Sequence, residues 1–326
     1  MAAQANTSSL PPQAQWALQA YRMRLRGDLQ HAGVAVAWAP GRANLIGEHT
    51  DYNEGYVLPV AIDRATALVG HATREPVARL YSVHHRQKAS FSMASTALAA
   101  EPAPERLPLW ARYVRGVLAE LAQHGALPLL PGIVAAIAGN VPVGSGLSSS
   151  AALEVAVATF ARALGGAELP AMRVAQLCQQ AEQRSVGVRV GIMDQATSCL
   201  GRAGQAILLD CRSLVYTYVP VELPEVALAV YDTRVTRSLA ASGYNERRAQ
   251  CEQAVALLTQ AIHAQQPERA ITALRDITSD DLARYGDALP EVLLRRARHV
   301  VGENARVLAA VAALRLGDGA SLGELL

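Results

Sequence analysis

This sequence predicts a mixed α+β fold, and three observations carry that expectation. Segments 33–38, 57–62, 65–71, 79–83 and 89–92 read as strands with no helix between them, unlike the strand–helix alternation of a doubly wound sheet. A strand over 133–137 then passes through a glycine–serine loop into an alanine-rich helix, a compact unit reaching residue 164. Finally, 51% of the 326 residues are hydrophobic, enough to core one large domain or two fused lobes.

Taken in order, residues 12–30 form an amphipathic helix, with Ala14, Leu18, Tyr21 and Leu25 on its apolar face and Trp16 off it. Pro40 is expected to end the strand that follows. Residues 95–108 are rich in Ala, Pro and Glu and read as a surface loop, and 110–121 as a helix. Trp110 is either a core residue or an aromatic that stacks on a purine. A helix over 170–183 is followed by strands at 206–209 and 215–219, which pair, and by a further strand at 226–231. The remainder is helical: a turn and long helix over 240–264, short helices over 267–300, another over 303–314, and a turn at Gly317-Asp318-Gly319.

The chain is organised around Gly139-Asn140-Val141-Pro142-Val143-Gly144-Ser145-Gly146-Leu147-Ser148-Ser149-Ser150. Glycines let a ligand approach the backbone, and a serine caps the helix behind them. The free N–H groups and dipole of that helix start make an anion-binding geometry suited to phosphate. The loop lacks the Gly-Lys-Ser/Thr ending of a Walker A motif and contains no G-x-G-x-x-G. A plain connection is the alternative reading.

Upstream, residues 40–55 crowd Arg42, Asn44, Glu48, His49, Asp51 and Asn53 between glycines. Such a stretch is either a charged turn or a site for a ligand with many hydroxyls, since carboxylates accept from hydroxyls and Arg clamps an anion. Glu182 shares a helix face with Ala171, Ala175 and Cys178, and lies either at a water-facing helix edge or beside a metal ion. Asp194, between Met193 and a helix-like run, is a helix cap or a general base. The run Glu246-Arg247-Arg248 reads as solvated helix surface.

Composition narrows the class. Net charge is +2 with no basic block, which argues against nucleic acid. The four cysteines show no C-x-x-C spacing and fit reduced thiols in the cytoplasm. No signal-peptide pattern and no membrane span are read. The histidines form no H-E-x-x-H, so zinc is not expected.

Residues 39–62 closely resemble the signature of galactokinases. Gly144–Glu154 resembles the second motif of the wider GHMP kinase family, named for its galactose, homoserine, mevalonate and phosphomevalonate members. Gly191–Gln195 and the 237–251 stretch are similar to galactokinases as well, so the likeness runs from about residue 33 to 326. It implies a two-lobe GHMP kinase fold: an N-terminal lobe like domain 2 of ribosomal protein S5, placed at 1–200, and an α+β C-terminal lobe at 201–326, with the active site between them. It implies ATP-dependent phosphorylation of the C1 hydroxyl of α-D-galactose by a cytoplasmic monomer acting on small molecules. Arg42 would stabilise the transferring phosphoryl, and Asp194 would be the base. Glu48, His49, Asp51, Gly191 and Tyr244 would hold the sugar. Gly144, Ser145, Gly146, Leu147, Ser148, Ser149 and Ser150 would wrap the ATP phosphates, Trp110 would lie near adenine, and Ser149 with Glu182 would be the Mg²⁺ partners.

The sequence departs from the family at its end, where a third glycine-rich motif of the T-G-G-G-F-G-G type is expected and none occurs. The C-terminal lobe is therefore expected to be incomplete. Asp232 also stands where many relatives have asparagine. The rival readings are an N-acetylgalactosamine kinase and a non-catalytic regulator that binds galactose and ATP.

Overall fold

The computed structural model describes residues 10–25, 33–94, 98, 106–127, 130–165, 168–223, 226–231 and 241–326. Within them the chain runs α1 (Pro12–Leu25), β1 (Ala35–Asn44), a 3-10 turn (Asp51–Asn53), β2 (Tyr56–Val57), β3 (Pro59–Thr73), β4 (Val77–Ser82) and β5 (Gln87–Ser92). Next come α2 (Leu109–Gln123), β6 (Gly132–Gly139), α3 (Ser149–Gly165), α4 (Ala171–Val186), α5 (Met193–Leu200), β7 (Gln205–Asp210) and β8 (Tyr216–Pro220). The last part holds α6 (Ala241–His263), 3-10 turns at Leu274–Asp276 and Gly286–Ala288, α7 (Ser279–Tyr285), α8 (Glu291–Leu316) and α9 (Gly319–Leu325).

The chain divides into two compact units that interleave in sequence. The first takes Met1–Arg42, Ile62–Gly187 and Asp194–Leu200, and the second takes Ala43–Ala61, Val188–Met193 and Gly201–Leu326. A single cut after residue 200 would leave 43–61 and 188–193 on the other side.

The first unit is a sheet between two helical layers. β6 pairs antiparallel with β3, from Thr66 opposite Gly139 to Thr73 opposite Gly132, and parallel with β4, from Ala78 opposite Ile133 to Ser82 opposite Ile137. β5 continues the sheet as the antiparallel partner of β4, and β1 pairs with β3. Alternate β6 residues face opposite layers, as the two-residue period of a strand demands. Ile133, Ala135 and Ile137 pack with Val114, Leu118, Phe160 and Leu177 of α2, α3 and α4. Val134, Ala136 and Ala138 pack with Ala17, Leu18 and Tyr21 of α1. With both faces covered, β6 is a continuous apolar run.

In the second unit, β7 pairs antiparallel with β2 and with β8. Its core joins Ala254, Leu258 and Ile262 of α6 to Leu274, Leu282, Leu293, Ala297 and Val300 of the following helices. Gly317 closes α8 in the left-handed conformation at φ 69°, and the Asp318 side chain caps α9, as the glycine-containing turn predicted.

Several sequence expectations are corrected. β1 runs through Pro40, because proline's fixed φ is compatible with extended backbone, and the Pro40 carbonyl accepts from Ser198 Oγ at 2.7 Å. The two strands expected at 57–62 and 65–71 are largely one, β3, because the exposed pair Asp63-Arg64 does not interrupt extended backbone. The helix at 303–314 is the second half of α8, which crosses Gly302 unbroken. The strand expected over 226–231 does not form: Val226, Leu228, Val230 and Tyr231 are 55–86% exposed and outside any described strand. The end of the first helix, most of the 95–108 loop, and Asp232 lie outside the described residues.

Candidate functional site

In the first unit the site grows from the turn between β6 and α3. Gly144 and Gly146 have φ of 77° and 80°, and Ser148 joins them at 56°. Two of these three left-handed positions are glycine, where the conformation is free. The loop is open to solvent at Gly144 and Gly146, and α3 starts at Ser149. The first N–H groups of α3 lack partners within the helix and point with its positive end toward the loop. A helix start of this kind is suited to an anion.

Arg42 and Asp194 meet beside this loop. Arg42 donates from Nε to Asp194 Oδ1 at 2.8 Å and ion-pairs with it from its terminal nitrogen at 2.7 Å. The same guanidinium donates to the Gly146 carbonyl at 2.5 Å. Ser148 Oγ donates to the other carboxylate oxygen, Oδ2, at 2.6 Å. A fork-shaped cation thus ties a carboxylate to the phosphate-type loop, which a lysine could not do with the same geometry. Asp194 lies in the first turn of α5 with its oxygens engaged by these two side chains.

Behind it lies a buried acidic cluster. Gln195 Nε2 donates to Glu154 Oε2 at 2.9 Å and to Glu182 Oε2 at 2.8 Å. Glu182 is 5% exposed, so the water-facing helix edge is excluded. Burial first, and then the charge of Asp194, pushes the Glu182 carboxyl up to about 7; burial and the charge of Glu182 push Glu154 up as well. The serine that hydrogen-bonds Glu182 is Ser150; Ser149 is the first residue of α3. Among the described residues no group of three or more His, Cys, Asp or Glu side chains forms a metal cage. Glu182 and a neighbouring serine hydroxyl nevertheless form a hard-oxygen pair of the kind Mg²⁺ accepts, its remaining ligands coming from phosphate and water.

Trp110 lies in the first turn of α2. Its ring stacks on His85 at a centroid distance of 6.2 Å and 10° between planes, its Nε1 donates to Gln87, and it is 8% exposed. The structure assigns it a packing contact at the β5 side of α2.

In the second unit, the 47–56 loop is shaped by left-handed residues Gly47, His49 and Glu54. Thr50, fully buried, sets its Oγ1 between the carbonyls of Gly47 and Tyr56 at 2.7 and 2.6 Å. Glu48 accepts from Asn44 Nδ2 at 3.0 Å. Tyr52 OH hydrogen-bonds His49 Nδ1 at 2.9 Å, and Tyr244 packs edge-on against Tyr52 with centroids 5.1 Å apart. Gly191 N–H donates to Tyr244 OH at 3.3 Å. A Cβ at Gly191 would overlap the Asp51 carboxylate, so this position is glycine for lack of space. Glu48, His49, Asp51, Gly191 and Tyr244 therefore belong to one polar, aromatic-edged constellation, and Arg42, the glycine loop, Glu182 and Asp194 to another.

Sequence reasoning missed Gln195, Glu154, Tyr52, His299, Glu303 and Asn304. Glu303 had a signal: it sits on the apolar stripe of Val300, Val307, Ala310 and Leu314, where a carboxylate needs a partner.

Known proteins resemble the chain over most of its length. The GHMP kinases N terminal domain profile matches residues 112–202, and the galactokinase galactose-binding signature matches residues 27–71. The galactokinase of Chloroflexus aurantiacus is 46% identical over 296 residues, which cover 91% of this chain and 72% of the relative. The human galactokinase is 40% identical over 292 residues, covering 88% of this chain and 70% of its own. The crystal structure of Lactococcus lactis galactokinase complexed with galactose superposes with a TM-score of 0.86 at 33% identity, covering 96% of this chain and 76% of that one. At these identities and coverages, the chain belongs to the galactokinase family of GHMP kinases.

Proposed function

We propose that this protein transfers the terminal phosphoryl group of ATP to the C1 hydroxyl of α-D-galactose, giving α-D-galactose 1-phosphate and ADP. The observation that carries the reading is the Arg42–Asp194–Ser148 set fastened to the glycine loop. Direct transfer needs no protein nucleophile; it needs positioning, a proton acceptor and charge neutralisation. The glycine loop and the start of α3 take the phosphates on backbone N–H groups. Arg42 supplies positive charge at oxygens that gain negative charge in the transition state. Asp194, oriented by Arg42 and Ser148, accepts the C1 hydroxyl proton. The Glu48, His49, Asp51 and Tyr244 constellation offers the acceptors and donors that a many-hydroxyl sugar requires.

Mg²⁺ bound at Glu182 and the adjoining serine hydroxyl would neutralise phosphate charge. The high proton affinity of Glu182 means that a proton competes with the cation for this oxygen pair. A cytoplasmic location is part of the same reading: all four cysteines are free thiols, and no described helix is long and apolar enough to cross a membrane.

A coupled assay with galactose, N-acetylgalactosamine, glucose and talose tests the reading. Galactose is expected to give the highest kcat/KM. Preference for the acetylated sugar would reassign the substrate. Binding of galactose and ATP with no sugar phosphate formed would make the chain a sensor.

A further inference from the structure

We propose that Glu303 is the positioning residue of the sugar-binding loop, reaching from α8 to fix both the backbone and the carboxyl of Glu48 and so setting the affinity for the sugar. The proposal rests on the sugar-kinase reading above and adds a residue to it.

Glu303 lies near the middle of α8, is 4% exposed, and sits on the stripe that this helix buries. A carboxylate in that position is costly unless its oxygens are filled. They are. Oε1 accepts the backbone N–H of Gly47 at 2.8 Å and of Glu48 at 3.1 Å. Oε2 accepts from Arg306 Nε at 2.9 Å and from its terminal nitrogen. The Glu48 side chain hydrogen-bonds the Glu303 carboxyl as well.

A bond between two carboxyls holds one proton, and its location follows from the surroundings. Burial pushes Glu303 up, but the Gly47 N–H, the Arg306 guanidinium and the Glu48 contacts outweigh it and hold the group below its ordinary range. Burial and the Glu303 charge raise Glu48. Of the two, Glu48 therefore binds a proton more readily, and its Oε1 accepts from Asn44 at 3.0 Å.

The neighbours of Glu303 on α8 complete the grip. His299 Nε2, one turn earlier, donates to the Glu48 carbonyl at 2.8 Å. Asn304 Oδ1 accepts the N–H of Tyr56 at 2.9 Å. The N–H, the carbonyl and the carboxyl of Glu48 are thus all held by one helix, although Gly47 and Glu303 are 256 residues apart in sequence. Gly47 turns the chain at a φ of 103°, a conformation open to glycine, and the bonds from α8 hold that turn in place.

The test compares Glu303→Ala and Glu303→Gln with the parent chain. In steady-state kinetics, Glu303→Ala is expected to raise the galactose KM by about tenfold or more, the equivalent of losing charge-assisted hydrogen bonds, with the ATP KM and kcat near parent values. Glu303→Gln keeps one acceptor for the Gly47 and Glu48 N–H groups, so it should recover part of the loss. Hydrogen exchange without sugar gives the second readout: peptides covering 44–58 should exchange faster in Glu303→Ala while those covering 64–73 do not. Unchanged galactose KM and unchanged exchange overturn the proposal, as does a rise of both KM values together. If Glu303→Ala does not fold, Glu303→Gln decides alone: a galactose KM and exchange equal to the parent overturn the proposal, and a selective rise supports it. Absence of galactose turnover in the parent chain defeats the kinase reading, while the exchange comparison still decides the anchoring.

Discussion

At the residue scale, Asp194 is the proposed base. Its carboxylate is held at Oδ1 by Arg42 and at Oδ2 by Ser148. Asp194→Asn keeps the size and most hydrogen bonding and removes the proposed proton acceptor. Turnover should fall by about 10²–10⁴-fold, the usual worth of a positioned base, with galactose affinity by calorimetry unchanged. Parent-like turnover would remove the base from this residue. The serine pair offers a finer comparison. Ser150, which hydrogen-bonds Glu182, should matter for the cation. Ser150→Ala is expected to raise the Mg²⁺ concentration needed for half-maximal rate more than Ser149→Ala does, and the reverse order in a Mg²⁺ titration would return the role to Ser149.

At the scale of elements, α8 is the long helix that bears the loop-holding residues, and it carries a weak point at Gly302. Glycine in a helix interior is worth about 0.5–1 kcal/mol less than alanine. An added Cβ would meet the Arg306 terminal nitrogen at 3.2 Å, the far end of a flexible side chain that can give way. Gly302→Ala should therefore raise the melting temperature by roughly 1–3 °C; a lower value would show that Arg306 cannot move without disturbing Glu303. The 3-10 turn at Leu274–Asp276 makes a pH-dependent contribution. Asp276 accepts from the N–H groups of Thr272 and Ala273 and from Arg212. Burial opposes ionisation, but these donors win and bring the carboxyl down to about 2. A pKa lowered on folding gives stability that is present above the unfolded value near 4 and disappears as pH falls toward 2. Asp276→Asn should lower the urea midpoint at pH 7, and the gap to the parent should close at pH 2–3. A gap that stays constant with pH would mean that the charge of Asp276 is not what stabilises the turn.

For the whole molecule, the interleaving of the units is the main organisational fact. The chain enters the second unit at Ala43, leaves it at Ala61, returns at Val188 and leaves again at Met193. Arg42 and Asp194 are the residues next to two of these passages. The second unit also exposes Val226, Leu228 and Val230 in a run outside any described strand. Contiguous exposed apolar surface favours self-association. Leu228→Lys is expected to lower light scattering at high protein concentration and to leave the melting temperature within the small range typical of surface changes. Unchanged scattering would show that association proceeds through another face.

The sequence by itself determined the α+β class, the order of the motifs, the phosphate-type loop and the helix behind it. These are encoded by local chemistry: glycines at left-handed positions, serines at a helix start, and apolar periods of two or near four. Arg42, Glu48, Asp51 and Asp194 could be singled out as candidates because their motifs are contiguous. Tertiary structure alone decided which distant groups meet. Burial of Glu182 depends on Gln195 and Tyr113 arriving from other helices, and the anchoring of Gly47 depends on Glu303 from a helix 256 residues away. Pro40 looked like a strand end because its missing N–H is visible in sequence, whereas the strand that continues through it depends on pairing with β3. The 226–231 run looked like a strand because β-propensity describes a residue's fit to a pleated surface, and no strand is paired with it among the described residues.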